Sequence, residues 1–177
     1  MRGVSLRLTS TRLVLAPFMA ADISPRYVGW LNDPQVVRYS NQRFRRHDEQ
    51  SSEAYLRSFD GSPNQFWSIR LAANGDMIGT LTAYLAPQHG TADIGLLIGE
   101  RAVWGQGYGL EAWQRLMDYL FSEHALRKIT AGAAAGNVGM VRIMERAGMQ
   151  HEATRRQQEI IDGELQDIVY FAKFRAA

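Results

Sequence analysis

Apolar and polar positions along the chain change period at recognisable points. Arg12-Leu13-Val14-Leu15-Ala16 reads as a first strand. Asp22 can cap a helix that runs to about Leu31. Asp33-Pro34 is a second start signal, a capping Asp followed by Pro at the first helical position. Asp48 to Phe59 predicts a third short helix. Phe66 to Leu71 is a strand, Asn74-Gly75 a hairpin turn, Met77 to Leu85 the returning strand, and Thr91 to Ile98 another. Then Leu110, Trp113, Leu116, Met117, Leu120 and Phe121 fall at helical spacing, with Glu111, Gln114, Arg115 and Asp118 opposite. Lys128 to Ala133 is a short buried strand. Asn137 can cap a helix with Met140, Ile143, Met144 and Ala147 on one face, stopped by Gly148. Gln158 to Ile161 and Gln166 to Phe174 form a last hairpin around Asp162-Gly163.

This order predicts a mixed α/β (α+β) layer with a mostly antiparallel sheet rather than a regular doubly wound one. At 177 residues, with no repeat or low-complexity linker, residues 1–177 read as a single domain. Hydrophobic residues make up 46% and charged residues 21%, which excludes disorder, collagen and coiled coil. With no Cys, a disulfide scaffold, a thiolate zinc site and a catalytic cysteine drop out. The four His, at 47, 89, 124 and 151, do not pair at ligand spacing, so no metal is expected. No run is long enough for a membrane helix, and Met1 to Arg7 lacks an apolar signal core, so a cytoplasmic protein without membrane contact is expected. The net charge of +2 does not require nucleic acid. Lys stands only at 128 and 173 among 20 basic residues, leaving the rest as Arg. Genome composition accounts for that, and planar guanidinium also suits phosphate and carboxylate partners.

The most informative segment is Trp104-Gly105-Gln106-Gly107-Tyr108-Gly109-Leu110-Glu111, which follows a strand and opens the clearest helix. Alternate glycines allow a tight turn and leave N–H groups unobstructed at the positive end of a helix dipole. Such a nest binds phosphate or diphosphate without Lys; a Gly-rich connection with no ligand is the plainer reading. The P-loop pattern is absent, and the G-x-G-x-G spacing, with no acid in Lys128 to Ala133, does not match a dinucleotide fingerprint.

With this loop the sequence resembles the GNAT superfamily of acetyl-CoA-dependent N-acetyltransferases, whose diphosphate loop is [Q/R]-x-x-G-x-[G/A], here Trp104 to Gly109. Trp in place of Gln or Arg is similar to the Rim-type branch, the ribosomal-protein N-terminal acetyltransferases and their relatives. Asn137 to Met149 resembles that family's N-x-x-S-x-x-x-x-[EK]-[KR]-x-G-[FM] helix, and Gln150 to Phe174 its closing hairpin. The resemblance implies the GNAT fold: helices on both faces of the sheet and a cofactor wedge where the fourth strand (Thr91 to Ile98) splays from the fifth, around Thr130. It implies acetyl-CoA as cofactor, with the pantetheine arm on Leu97, Ile98 and Gly99. In the cofactor-binding loop of Trp104, Gly105, Gln106, Gly107, Tyr108 and Gly109, the backbone amides from Gly105 to Gly109 would take the diphosphate, Asn137 would hydrogen-bond the pantetheine and Arg142 would meet the adenosine phosphates. Asn137 is equally a plain helix cap, and Arg142 equally a solvated face.

Without Cys, direct attack of an amine on the thioester is the expected chemistry, helped by a carboxylate base. The resemblance implies Asp93 for that role, in an otherwise apolar strand where burial would raise its pKa; a strand-end Asp facing water is the alternative. Glu100 is a weaker candidate. The positions where the family often carries a proton donor hold Met140 and Met144, leaving Tyr170 and Tyr108 as candidates. For the acceptor, Tyr27 to Tyr39 resembles a W-L-N-D-P-x-V segment of Rim-type enzymes and of acetyltransferases of nucleotide-linked amino sugars. Trp30, Tyr39 and Trp67 could form an aromatic wall; core packing is the alternative, and the favoured one for Trp30. Arg43 and Arg45, in the run Arg43-Phe44-Arg45-Arg46-His47, could hold a diphosphate or the acidic residues of a protein, or form a solvated loop. The expected acceptor is a small-molecule amine such as an amino-sugar nucleotide, or a protein N-terminus, taken up by a monomer or homodimer. A non-catalytic acyl-CoA-binding sensor of the same fold, and a plain nucleotide-binding module, are the alternatives.

Overall fold

The computed structural model describes residues 6–176, so Met1 to Ser5 of the N-terminal segment lie outside the described residues. The chain begins with strands β1 (Leu8–Thr9) and β2 (Leu13–Pro17), followed by helices α1 (Pro25–Asn32) and α2 (Glu49–Arg57). Strands β3 (Gln65–Leu71), β4 (Met77–Ala86) and β5 (Thr91–Ile98) form a meander. Helix α3 (Tyr108–Glu123), strand β6 (Lys128–Ala134), helix α4 (Val138–Arg146) and a hairpin of β7 (Gln150–Ile161) and β8 (Glu164–Phe174) complete the chain. The strands make one eight-stranded sheet in the order β1-β2-β3-β4-β5-β6-β8-β7. Every pairing is antiparallel except β5 with β6. This is the mixed, mostly antiparallel α/β sheet expected from the sequence. Because β1 precedes it, the predicted fourth strand is β5 and the predicted fifth is β6.

Alternation along β3 sends its side chains to two cores. On one face Trp67 and Ile69 join the large cluster under α3 and α4, which holds Trp113, Leu116, Met117, Leu120 and Met144. On the other face Phe66 meets Phe18, Tyr27, Trp30 and Leu31 beneath α1. Helices therefore cover both faces of the sheet.

Local chemistry corrects three expected boundaries. Ser24, not Asp22, caps α1: its hydroxyl accepts from Tyr27 N at 3.2 Å, with Pro25 at the first helical position. Asp22 instead turns back to accept from Met19 N and pairs with Arg70. Asp33-Pro34 starts no α-helix; residues 34–39 form turns, with Val37 N donating to Asp33 O at 3.0 Å. Strand β7 begins eight residues earlier than expected, at Gln150 rather than Gln158. Its outward-facing Glu, Arg and Gln side chains hide the period, and β8 supplies the pairing. The capping box of Asp48 and Ser51 opens α2 where the sequence predicts it.

The end of β5 depends on one close approach. A Cβ built on Gly99 would lie 2.0 Å from Cδ2 of Trp30, whose indole is packed against this backbone. Replacing Gly99 with Ala should cost about 1–3 kcal/mol, read as a lower urea midpoint with unchanged slope. Gly29→Ala, where an added Cβ meets nothing within 4 Å on α1, should be neutral or stabilising. Equal midpoints for the two variants would show that Trp30 moves aside freely.

Candidate active site

Strands β5 and β6 pair over only three positions, Thr91 with Lys128, Ala92 with Ile129 and Asp93 with Thr130. Beyond these, β5 stays with β4 as far as Ile98 and β6 stays with β8 as far as Ala134. The sheet splits in its middle, and a cleft of about 710 Å³ opens there. Ile94 to Ile98 form one wall, and Gly132 and Ala133 the other. The start of α3 and one face of α4 lie at its mouth. Backbone groups on the two facing edges have lost their ladder partners, so they are available to whatever enters.

At the mouth, Gly105 (φ +76°) and Gly107 (φ +84°) adopt the left-handed conformation that glycine enters without penalty. Gly107 is the N-cap of α3, so the first-turn amides point outward with no acceptor inside the helix. A Cβ on Gly105 would meet nothing within 4 Å; the loop is open on that side. Gly109 serves packing instead. A Cβ there would crowd Ile143 Cδ1 at 3.0 Å and Leu96 Cδ2 at 3.2 Å, so its absence lets α3 lie close to α4 and β5.

The loop is braced from both sides. Trp104 Nε1 donates to Ile98 O at 2.8 Å, fastening the loop to the end of β5. Arg12, in the β1–β2 turn, donates from Nη1 to Gln106 O at 3.0 Å and stacks over the Tyr108 ring at 4.2 Å. Glu111 accepts 2.7 Å hydrogen bonds from Ser10 Oγ, Arg12 N and Arg12 Nε. Burial pushes the Glu111 carboxyl up, but those donors outweigh it and hold the group below the usual carboxylate range.

Asp93 occupies the last paired position before the split. Thr130 Oγ1 donates to its Oδ2 at 2.8 Å across that pair. The side chain keeps an open face to solvent, yet enough protein surrounds it for burial to raise its pKa, with the Thr130 hydrogen bond pulling the other way. Glu100 differs: the Arg26 guanidinium and the Ala102 amide hold its carboxyl below the usual range, so it stays an ionised partner of Arg26. Asn137 accepts from Met140 N at 3.2 Å as the cap of α4 and lines the cleft as well.

Leu97, Ile98, Trp104, Gly105, Gly107, Tyr108, Gly109, Asn137, Arg142 and Tyr39 all line the cleft. Gln106 contributes loop backbone, with its side chain folded onto Ala102 O. Gly99 stands outside: its amide donates to Ile78 O at 3.0 Å and Trp30 covers it. Trp67 does not join an aromatic wall, and Trp30 takes the core position favoured for it. Each is buried in a core, on opposite faces of the sheet, and Trp67 sits edge-on to Tyr119. Arg43 and Arg45 line a separate recess.

Among the tyrosines, Tyr108 belongs to the loop end of the cleft. The Tyr170 ring lies across Gly132, where a Cβ would be 2.9 Å from Cε1, and it packs in one cluster with Tyr39. Arg146 and Arg12 do not stand out in the sequence. Arg146 lies four residues beyond Arg142, and that helical spacing is the signal that points to it.

The family model described as an acetyltransferase (GNAT) domain matches residues 12–150. An uncharacterized N-acetyltransferase, p20, of Bacillus licheniformis is 30% identical over 94% of this chain and 92% of its own length. Solved structures share the fold. A GNAT-family acetyltransferase from Bacillus anthracis aligns with TM-score 0.81 at 22% identity, covering 96% of this chain and 98% of that one. Spermidine N-acetyltransferase from Vibrio cholerae, in complex with CoA and spermine, aligns with TM-score 0.82 at 20% identity, covering 93% and 96%. RimL, a ribosomal L7/L12 alpha-N-protein acetyltransferase in complex with coenzyme A, aligns with TM-score 0.83 at 16% identity, covering 96% and 98%. With a family model spanning most of its length and a full-length relative at this identity, the chain belongs to the GNAT family of acetyltransferases.

Proposed function

We propose that this protein transfers an acetyl group from acetyl-CoA to a primary amine by direct attack, with Asp93 as the base. The observation that carries the reading is the position of Asp93. It stands at the apex of a split sheet whose open end is a glycine-bared helix N-terminus. Five strand steps from Asp93 to Ile98 make about 17 Å, a length the extended pantetheine arm of coenzyme A spans.

The residues present fit that cofactor. The amides around Gly105 to Gly109 are aimed at a diphosphate, and the open side of Gly105 leaves it room. Arg142 and Arg146, one helical turn apart at the mouth, suit its remaining phosphate. The unpaired edges of Ile94 to Ile98 and of Gly132 and Ala133 suit the amides of its arm. When bound, acetyl-CoA supplies an acyl group on a thiol leaving group. Asp93 accepts the proton that the amine must lose, through a carboxylate that burial has made more basic. Thr130 holds the carboxylate in one orientation. Tyr108, at the loop end of the cleft, and Tyr170, over Gly132 on the far side of the split, are the two candidates that would protonate the thiol leaving group.

The acceptor is an amino-sugar nucleotide or a protein N-terminus, and the proposed placement in the Rim-type branch is in keeping with it. Protein and small-molecule acceptors both occur in this fold: RimL is an alpha-N-protein acetyltransferase, and the Vibrio cholerae enzyme is a spermidine N-acetyltransferase.

Acetyl-CoA at ~100 times its Kd should stabilise the protein by about 2.7 kcal/mol, seen as a higher Tm; no shift at saturating cofactor contradicts the reading. Gly107→Val puts a branched side chain at positive φ, costs about 1–2 kcal/mol of stability, and should abolish the CoA-induced rise in Tm. A preserved rise would place the diphosphate elsewhere. Because the Asp93 carboxyl must be ionised to act, kcat/KM should climb with pH through a midpoint above the ordinary Asp range. Asp93→Asn should remove that limb and lower kcat by ~10²-fold or more while leaving CoA affinity unchanged. An unaltered pH profile in the variant would clear Asp93 of the role.

A further inference from the structure

We propose that a recess built from Arg38, Arg43, Arg45 and Arg46 is an oxyanion site that holds a phosphate or diphosphate group of the acceptor amine. The proposal rests on the acetyl-transfer reading and names its acceptor class: a small amine carried on a phosphate-bearing molecule.

The recess encloses about 460 Å³ and lies between the end of α1, the loop that follows it, and the tip of the β7–β8 hairpin. Its loop is held in place. Asn32 Nδ2 donates to His47 O and His47 N donates to Asn32 Oδ1, both at 2.8 Å, so the two ends of the 33–46 segment are clasped together. Arg43 pins the middle, donating to Ser40 O at 2.8 Å and Ile160 O at 3.2 Å, with Glu159 at 3.7 Å behind it. Arg38 is held by Asp162 at the hairpin tip, Nε to Oδ2 at 2.7 Å. Among the described residues, Arg45 and Arg46 have no carboxylate within 4.0 Å. Arg38 and Arg43 are thus held by protein acceptors, while Arg45 and Arg46, which also line the recess, pair with no carboxylate among the described residues.

Four arginines lining one recess suit a multiply charged oxyanion and repel a polyamine. The recess walls also carry Leu31, Pro34 and Val37, apolar surface that suits the carbon body of a compact ligand. An extended acidic peptide would need a longer groove with backbone groups to pair with.

The recess and the cleft share one wall. In the segment after α1, Pro34, Val37 and Arg38 face the recess, while Gln35, Val36, Tyr39 and Ser40 line the cleft. A molecule anchored by its phosphate on the arginines lies one segment of chain away from the cleft.

The test uses inorganic pyrophosphate titrated calorimetrically into protein already saturated with CoA, so that the glycine loop is filled. Wild type should bind it, more weakly as salt rises. Arg45→Gln/Arg46→Gln should weaken that binding by ~10-fold or more with CoA affinity unchanged. With a nucleotide-diphosphate-linked amino sugar as acceptor, the same variant should raise KM by a similar factor and leave kcat within about twofold. KM for the free amino sugar should not move. Pyrophosphate binding that is absent, or indifferent to the two substitutions, overturns the oxyanion site. So does an acidic N-terminal peptide whose KM depends on the arginines while pyrophosphate fails to compete with it. Failure of the wild type to bind CoA would overturn the acetyl-transfer reading instead, and pyrophosphate titrated into the CoA-free Gly107→Val protein would still read the recess by itself.

Discussion

A strand in the middle of a sheet ordinarily pairs along both edges, and β5 does so for only three residues. Everything that makes the molecule a candidate catalyst follows from that interrupted ladder. To keep β4, β5 must follow its meander as far as Ile98, where the indole of Trp30 presses on Gly99 and fixes its direction. To keep β8, β6 must follow the hairpin. The two commitments diverge after Asp93 and Thr130, and the freed backbone groups face each other across the gap. Unpaired amides and carbonyls inside a fold are costly unless something satisfies them. A cleft of this kind is therefore a built demand for a ligand with amide groups at strand spacing.

The ends of the cleft are chemically different. At its mouth, two left-handed glycines and a helix N-terminus concentrate positive potential without a lysine, and Arg142 and Arg146 add to it. Just before its apex, at the last paired position and next to the first lining residue Ile94, stands Asp93, whose carboxyl burial pushes up. The proposed anion position and the proposed proton-transfer position are thus separated by a stretch of strand. The Glu111 contacts matter here because they fasten the first turn of α3 to the β1–β2 hairpin, so the amides are aimed before any ligand arrives. Such preorganisation lowers the cost of ordering on binding.

The proposed acceptor side is built by other means. The segment after α1 is irregular, yet it is clasped at its ends by Asn32 and His47 and braced by Arg43. Loops held this way can present side chains on both surfaces, and here one surface lines the cleft while the other presents arginines. The expected aromatic wall dissolves because strand parity decides which way a side chain points. Trp67 follows Ile69 into the core under α3, while Tyr39, on the irregular segment, reaches the cleft.

Wherever neighbours in the chain carry the information, the sequence alone determines the outcome. The period of α3, the caps Asp48 and Asn137, the Asn74-Gly75 turn and the glycine loop are each written within a few residues, and each appears where the pattern puts it. The order of elements was enough for the mostly antiparallel sheet. Contacts between distant residues decided the rest. The point where β5 and β6 part depends on which strands each keeps. The alignment of α3 depends on Glu111 meeting residues about a hundred positions away. The gathering of four arginines depends on a hairpin tip returning to Arg38. Short-range preference is set by the backbone and its immediate side chains, whereas pairing and facing are set only when the whole chain closes on itself. That is why the glycine loop could be read from neighbouring residues, whereas the split near Thr130, expected only through the family resemblance, is fixed by the pairing of distant strands.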